Sequence, residues 1–164
     1  MIRRLLLTVI LLLYSLFLGI CVLPVSTKRD YTTHSPFYRG LLNGSTATAL
    51  FVLRIRITTE GLERIPTEER PLFVCNHRSN YDPIITWYVL RAWRPAFISK
   101  TENFRIPIFG RLIRRCCFLP IDRECPRNAI GTIQKAADLL KNDTVSVVVY
   151  PEGTRSKDRV LLLP

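Results

Sequence analysis

The chain has 164 residues, a length that suits one modest domain. It carries 24 Lys and Arg against 13 Asp and Glu, a net charge of +11, and 48% of its residues are hydrophobic. This apolar content excludes a disordered basic tail. A chain that is both basic and apolar is typical of a nucleic-acid binder or of a protein held at an anionic membrane surface.

The N-terminal part of the chain favours the membrane. Residues 5–25 form an apolar run, with Arg3-Arg4 before it and Lys28-Arg29 after it. About 20 apolar residues are enough to cross a bilayer. A cleaved signal peptide is the alternative, but residues 20–23 lack the small-x-small site that such a peptide needs. We therefore predict an N-terminal membrane-associated helical segment, within an anchor and connector over residues 1–50.

The orientation of this anchor is open on charge alone, because basic pairs stand on both sides of it. A single span with its amino end inside would put His77 outside the cell. Residues 41–53 could instead form a re-entrant or interfacial helix that returns the chain to its starting face. The five cysteines fit neither zinc-ligand nor disulfide spacing and suit a reducing compartment. The prediction is a membrane protein whose domain after the anchor lies on the cytoplasmic face.

Residues 51–164 show alternating strand and helix patterns. Alternation of apolar and charged residues predicts a half-exposed strand at 52–58, and short apolar runs predict buried strands at 72–75, 96–99, 118–121 and 145–150. Helical patterns cover residues 84–90 and a segment that begins at Pro126. Strands that alternate with helices predict an α/β domain with a mostly parallel central sheet flanked by helices.

The segment NHRSNYD, residues 76–82, follows the predicted strand at 72–75. Ligands bind at the carboxyl ends of strands in such sheets. His77 can act there as a base if the Asp82 carboxylate holds its ring. Asp82 before Pro83 is equally a good helix N-cap, and residues five apart on a regular helix diverge by about 140°. Contact therefore requires a turn between them, and both interpretations stay open on this segment alone.

A second polar segment, PEGTRS at residues 151–156, follows the strand predicted at 145–150. Gly153 lets the backbone approach a ligand, Thr154 offers a hydroxyl, and Arg155 can bind a phosphate through two nitrogens. A surface turn with a solvated arginine is the alternative. Arg123 closes the predicted strand at 118–121 and would lie at the same edge of the sheet.

Three blocks, NHRSNYD, FLPIDR ending at Arg123, and YPEGTRS over residues 150–156, come in the order and approximate spacing found in glycerolipid acyltransferases. From about residue 52 to residue 157 the chain resembles that family, and most closely its 1-acyl-glycerol-3-phosphate (lysophosphatidic acid) acyltransferases. The first block carries the HX4D pattern.

The resemblance implies transfer of a fatty acyl group from an acyl-coenzyme A or acyl-carrier-protein thioester to the free hydroxyl of a lysophosphatidic-acid-like acceptor, which gives phosphatidic acid in phospholipid biosynthesis. It implies that His77 is the base, that Asp82 holds the ring, and that no cofactor or metal takes part. The residues implied in binding the acceptor's phosphate or shaping its loop are Arg123, Glu152, Gly153, Thr154 and Arg155. The implied partners are a phospholipid membrane, the acyl donor and the acceptor.

Family members continue past the EGTRS block, so we expect a chain that ends at residue 164 to be truncated at its C-terminus. A truncated, non-catalytic basic protein bound peripherally to anionic membranes is therefore the alternative function. Nucleic-acid binding is disfavoured, because the basic residues do not gather on one helix and a membrane anchor opposes access to DNA.

Overall fold

A computed structural model describes residues 2–29 and 31–153. Over these ranges the elements, in chain order, are α1 (Ile2–Val22), α2 (Pro36–Val52), β1 (Leu72–Val74), α3 (Asp82–Leu90), β2 (Pro95–Lys100), α4 (Pro107–Arg115), β3 (Leu119–Ile121), α5 (Pro126–Lys141) and β4 (Ser146–Val149).

The four strands form one sheet in the order β1-β4-β2-β3, and every neighbouring pair is parallel. The predicted α/β class is therefore confirmed. Val147 and Val148 on β4 are both buried, one in each of the two apolar clusters that cover the sheet. A strand covered on both faces needs such a continuous apolar run, which is why this strand was visible in the sequence.

The strand order explains how distant segments of the chain meet. From β1 the chain passes over α3 to β2 and over α4 to β3, and α5 then brings it back to insert β4 between β1 and β2. Crossovers between parallel strands are right-handed, so connections that run in opposite directions place their helices on opposite faces. All four strands also end at one edge, which collects their C-terminal residues.

The strand predicted at 52–58 is wrong. Helix α2 continues to Val52, and its last turn is closed by the amide of Leu53 to the Ala49 carbonyl and that of Ile55 to the Leu50 carbonyl. Arg54 adopts a left-handed φ of 54°, which ends the helix. The alternating residues that predicted a strand thus belong to a helix end and to an irregular segment after it, in which Ile55 and Ile57 are half-buried.

The two N-terminal helices pack onto the rest of the molecule. Val22 and Leu42 lie in the same buried cluster as Trp87 and Phe97. Arg39 of α2 is buried, and its guanidinium donates to the carbonyls of Pro95 and Cys116, each at 3.0 Å. The division of the chain at residues 50 and 51 stays a prediction.

The predicted membrane-spanning segment is not confirmed. Within the described ranges, no helix combines the length and the apolar content that a bilayer crossing requires.

Candidate active site

The His77 and Asp82 side chains are in contact. The His77 Nδ1 atom lies 3.1 Å from Asp82 Oδ2, and the backbone amides of Arg78 and Ser79 donate to the same oxygen at 2.6 and 2.7 Å. Asp82 is the first residue of α3, yet its carboxylate accepts from the turn before the helix and from no amide after it in the described hydrogen bonds. The turn is therefore wrapped around the carboxylate, and this brings the imidazole to it.

The environment of Asp82 keeps it ionised. Partial burial opposes the charged form, but the backbone amide of Ser79, the His77 ring and the amide of Arg78 outweigh it, so the pKa of Asp82 lies below its ordinary value. An ionised carboxylate at Nδ1 leaves Nε2 as the ring nitrogen that can take a proton from a bound molecule.

His77 lines a cavity of about 470 Å³ at the carboxyl edge of the sheet. Its wall combines polar groups, among them Lys100, Asn103 and Arg123, with the aromatic rings of Phe97 and Phe118. A cavity of this size, whose wall is part polar and part apolar, suits a ligand that has a charged head and an apolar part.

Arg123 and Gly153 meet at this cavity. An Nη1 hydrogen of Arg123 is donated to the Gly153 carbonyl, so the ends of β3 and β4 are tied together. Gly153 has a φ of 64°, a conformation that a side chain would strain. Glu152 has a buried Oε2 that has no hydrogen-bond partner among the described residues. Of the predicted phosphate-binding residues, Thr154 and Arg155 lie outside the described residues.

The site also contains residues that the sequence did not single out as functional. The Tyr150 ring packs against His77 with 4.7 Å between centroids, and Asn103 donates to the Ser99 hydroxyl at 2.8 Å beside Lys100. Lys100 and Tyr150 each end or follow a strand. The rule that ligands bind at carboxyl ends of strands would have found both.

The nearest thiol is not activated. Burial and then the Asp82 charge raise the pKa of Cys75, which follows β1. A protonated thiol is a poor nucleophile, so Cys75 is not suited to form an acyl-enzyme. What the arrangement can do is hold a molecule beside an imidazole base and an arginine.

Comparison with known proteins agrees with this chemistry. Residues 56–164 match the acyltransferase family, and since they make up more than half of the chain, the protein belongs to that family.

Similar proteins are named as acyltransferases of one kind. The chain is 38% identical over 104 residues to a chloroplastic 1-acyl-sn-glycerol-3-phosphate acyltransferase of Arabidopsis thaliana, covering 63% of this chain and 28% of that protein. It is 32% identical over 103 residues to the 1-acyl-sn-glycerol-3-phosphate acyltransferase of Haemophilus influenzae, covering 60% of this chain and 42% of that protein. The chain thus spans less than half the length of either relative. No solved structure matches it.

Proposed function

We propose that this protein transfers a fatty acyl group from an acyl-coenzyme A or acyl-carrier-protein thioester to the free hydroxyl of a 1-acyl-glycerol-3-phosphate, giving phosphatidic acid. The observation that carries the proposal is the His77–Asp82 contact in the cavity that Arg123 and Gly153 also line. The names of the relatives support the choice of acceptor.

The reaction needs one base and an acceptor held in place. His77 Nε2 takes the proton of the acceptor hydroxyl while the hydroxyl oxygen attacks the thioester carbonyl carbon. The C–S bond then breaks, and the imidazolium returns the proton to the leaving thiolate. Asp82 keeps the ring oriented and stabilises its charged form. General-base assistance of this kind is worth about 10²–10⁴-fold in rate.

The acceptor's phosphate would bind at the corner formed by Arg123 and Gly153. The guanidinium is exposed and lines the same cavity as the imidazole, so one molecule can contact both groups. In this proposal Arg155 adds a second cation, and Glu152 and Thr154 shape the loop that carries it.

The partner that supplies the acceptor would be a phospholipid membrane. On α1 the side chains of Leu12, Leu13 and Leu16 are each more than 60% exposed, next to further apolar residues of the same helix. Exposed apolar surface of this extent marks an interaction site. A helix lying in the headgroup region would bury it, with the acyltransferase domain on the cytoplasmic face. This surface also favours the second candidate function, a non-catalytic protein bound to anionic membranes.

The decisive experiment compares the purified full chain with its His77→Ala variant. Labelled acyl-coenzyme A and acyl-carrier protein are supplied separately with lysophosphatidic acid in mixed micelles. We expect phosphatidic acid from the unaltered chain and a loss of about 100-fold or more in kcat for the variant, at an unchanged melting temperature. His34→Ala, which alters the only other histidine, is the matched control and should retain activity.

Turnover by His77→Ala at the rate of the unaltered chain would remove the catalytic assignment. If the unaltered chain binds vesicles but gives no product with either donor, the non-catalytic membrane protein is the better description.

A further inference from the structure

Two side chains contact the His77 ring, and helix α3 holds both of them in place. Asp82 holds its edge through Nδ1, and Tyr150 covers its face at 4.7 Å with the ring planes inclined by 31°. A single hydrogen bond at the edge leaves a ring free to tilt about that bond. A second ring packed on the face removes this freedom.

Tyr150 is itself held by α3. Its hydroxyl donates to the Thr86 hydroxyl at 3.0 Å. Asp82 and Thr86 are four residues apart on α3, so they lie on the same side of the helix. The contacts therefore form a closed ring: His77 contacts Asp82, Asp82 lies one helical turn before Thr86, and Thr86 binds Tyr150, which packs on His77.

The other side of Tyr150 is supported by the core. Its ring stacks with Phe97 of β2 at 6.2 Å between centroids and an interplanar angle of 20°. Burial raises the pKa of the Tyr150 hydroxyl above its ordinary value, an effect that the Thr86 hydrogen bond only partly offsets. The hydroxyl thus stays protonated at neutral pH, as its hydrogen bond to Thr86 requires.

We propose that Tyr150 is a positioning residue for the acyl transfer, one that acts through His77. This inference rests on the proposed function. It adds a second role to the segment after β4, since its first residue also sets the orientation of the base in the turn after the neighbouring strand β1. When His77 accepts the proton, the Tyr150 face lies within the range at which aromatic rings stabilise cations, an effect worth about 2- to 30-fold.

The kinetic test uses four single variants of the full chain. Tyr150→Leu removes the ring, Tyr150→Phe and Thr86→Val each remove only the hydrogen bond, and Tyr88→Leu is the matched control on α3. For Tyr150→Leu we expect kcat to fall about 10- to 100-fold, with KM for donor and acceptor changed less than about 3-fold, because alignment of the base is lost while binding is kept. Tyr88→Leu should match the unaltered chain.

The two conservative variants test the hydrogen bond itself. Each should lower kcat about 3-fold, and the Tyr150→Phe, Thr86→Val double variant should lose no more than either one, because both remove the same interaction. Additive losses, or no loss in either, would overturn the role of Thr86. A rise in KM at unchanged kcat for Tyr150→Leu would make Tyr150 a substrate contact instead.

A spectroscopic readout separates this inference from the proposed function. The Tyr150 ring should shift the ring-proton NMR resonances of His77, and the chain has only one other histidine to distinguish from it. Tyr150→Leu should move the His77 signals towards the chemical shifts of a solvent-exposed histidine, and Tyr150→Phe should leave them unchanged. If the His77 signals do not move in Tyr150→Leu, the contact between the two rings is contradicted. If they move but the chain gives no turnover, only the proposed enzymatic function is contradicted.

Discussion

At the scale of single residues, one oxygen of Asp82 has two roles, since it binds both the imidazole and the turn before α3. Oδ2 accepts from the His77 ring and from the amides of Arg78 and Ser79, so the carboxylate stabilises both the base and the turn that carries it. This shared use explains why a position that reads as a helix cap in the sequence is a ring-holding group in the fold.

Asp82 should make the stability of the protein depend on pH. Because its pKa is lower in the folded chain, it stabilises the fold at pH values above its unfolded-state pKa of about 4, and this contribution is lost as pH falls through the folded-state value. We expect Asp82→Asn to lower the free energy of unfolding at pH 7 by about 1–3 kcal/mol. Near pH 3 the free energies of unfolding of the variant and the unaltered chain should differ by less.

Denaturant unfolding at several pH values between 3 and 7 measures this effect. Glu68→Gln, which neutralises an exposed carboxylate outside the site, serves as the control. A constant difference between Asp82→Asn and the unaltered chain across this range would contradict the linkage.

Arg123 should act on the acceptor and not on the acyl donor. Its guanidinium lines the cavity of His77 and is tied to the Gly153 carbonyl. Because hydrogen bonds to charged groups are worth about 1.5–3 kcal/mol, we expect Arg123→Ala to raise KM for lysophosphatidic acid about 10- to 100-fold. The KM for the acyl donor should change by less than about 3-fold, since donor contacts are kept.

Initial rates with each substrate varied in turn measure the two KM values. Arg127→Ala removes another exposed arginine from the chain just beyond the site and should leave both unchanged. Equal effects of Arg123→Ala on the two substrates would argue against a phosphate-binding role.

At the scale of elements, the sequence predicts the positions of strands and helices wherever a local pattern of apolar residues determines them. The strands predicted at 72–75, 96–99, 118–121 and 145–150 all exist with ends that differ by at most one residue, and the helix from Pro126 begins where the pattern placed it. The strand predicted at 52–58 does not form, because a helix end followed by an irregular segment with alternate half-buried residues can show the same alternation over a short stretch.

Local sequence patterns could not predict the order of the strands in the sheet. Insertion of β4 between β1 and β2 depends on pairings such as Leu72 with Val147, between residues far apart in the chain. The contact of Tyr150 with His77 follows from that insertion and was missed for the same reason. The contact of His77 with Asp82, by contrast, lies within six residues, so turn chemistry could indicate it.

Helix α4 is fixed in place by a glycine. A methyl group added at Gly110 would lie 2.4 Å from the Phe104 carbonyl oxygen, a backbone atom that cannot move aside, whereas one added at Gly131 in α5 would meet nothing within 4 Å. We expect Gly110→Ala to lower the free energy of unfolding by about 1–3 kcal/mol through overpacking. Gly131→Ala should raise it by about 0.5–1 kcal/mol, because alanine favours the helix.

Thermal and denaturant unfolding of the two variants, made side by side, compare the same substitution in two helices. A similar effect of both would mean that helix propensity alone decides, and the close packing of α4 against the Phe104 backbone would lose its support.

At the scale of the whole molecule, the N-terminal helices face two environments. Residues such as Val22 and Leu42 join the buried cluster beside the sheet, and Arg39 ties α2 to two backbone carbonyls of the core. Other residues of α1 point outwards with large exposed apolar side chains. The pair of helices is thus packed against the α/β domain on one side and open to an apolar partner on the other.

Membrane binding should depend on this outward side of α1. Leu13 and Leu16 are each 62% exposed, so replacing both with Glu leaves the core intact. Burying one leucine side chain is worth about 1.5–3 kcal/mol, so the double variant should bind vesicles at least about 100-fold more weakly. Ile130 and Ile133 of α5 are 58% and 55% exposed and provide the matched control on the other face of the sheet.

Co-sedimentation with anionic phospholipid vesicles measures both double variants at equal protein concentration. The Ile130→Glu, Ile133→Glu chain should bind as the unaltered chain does, because it makes the same charge change on α5, which packs on the other face of the sheet. Equal weakening of the two would show that added negative charge alone drives release, through repulsion from the anionic surface. Unchanged binding of the Leu13→Glu, Leu16→Glu chain would assign attachment to the basic residues, and raising the salt to 1 M, where charges are screened within about 3 Å, should then release the protein.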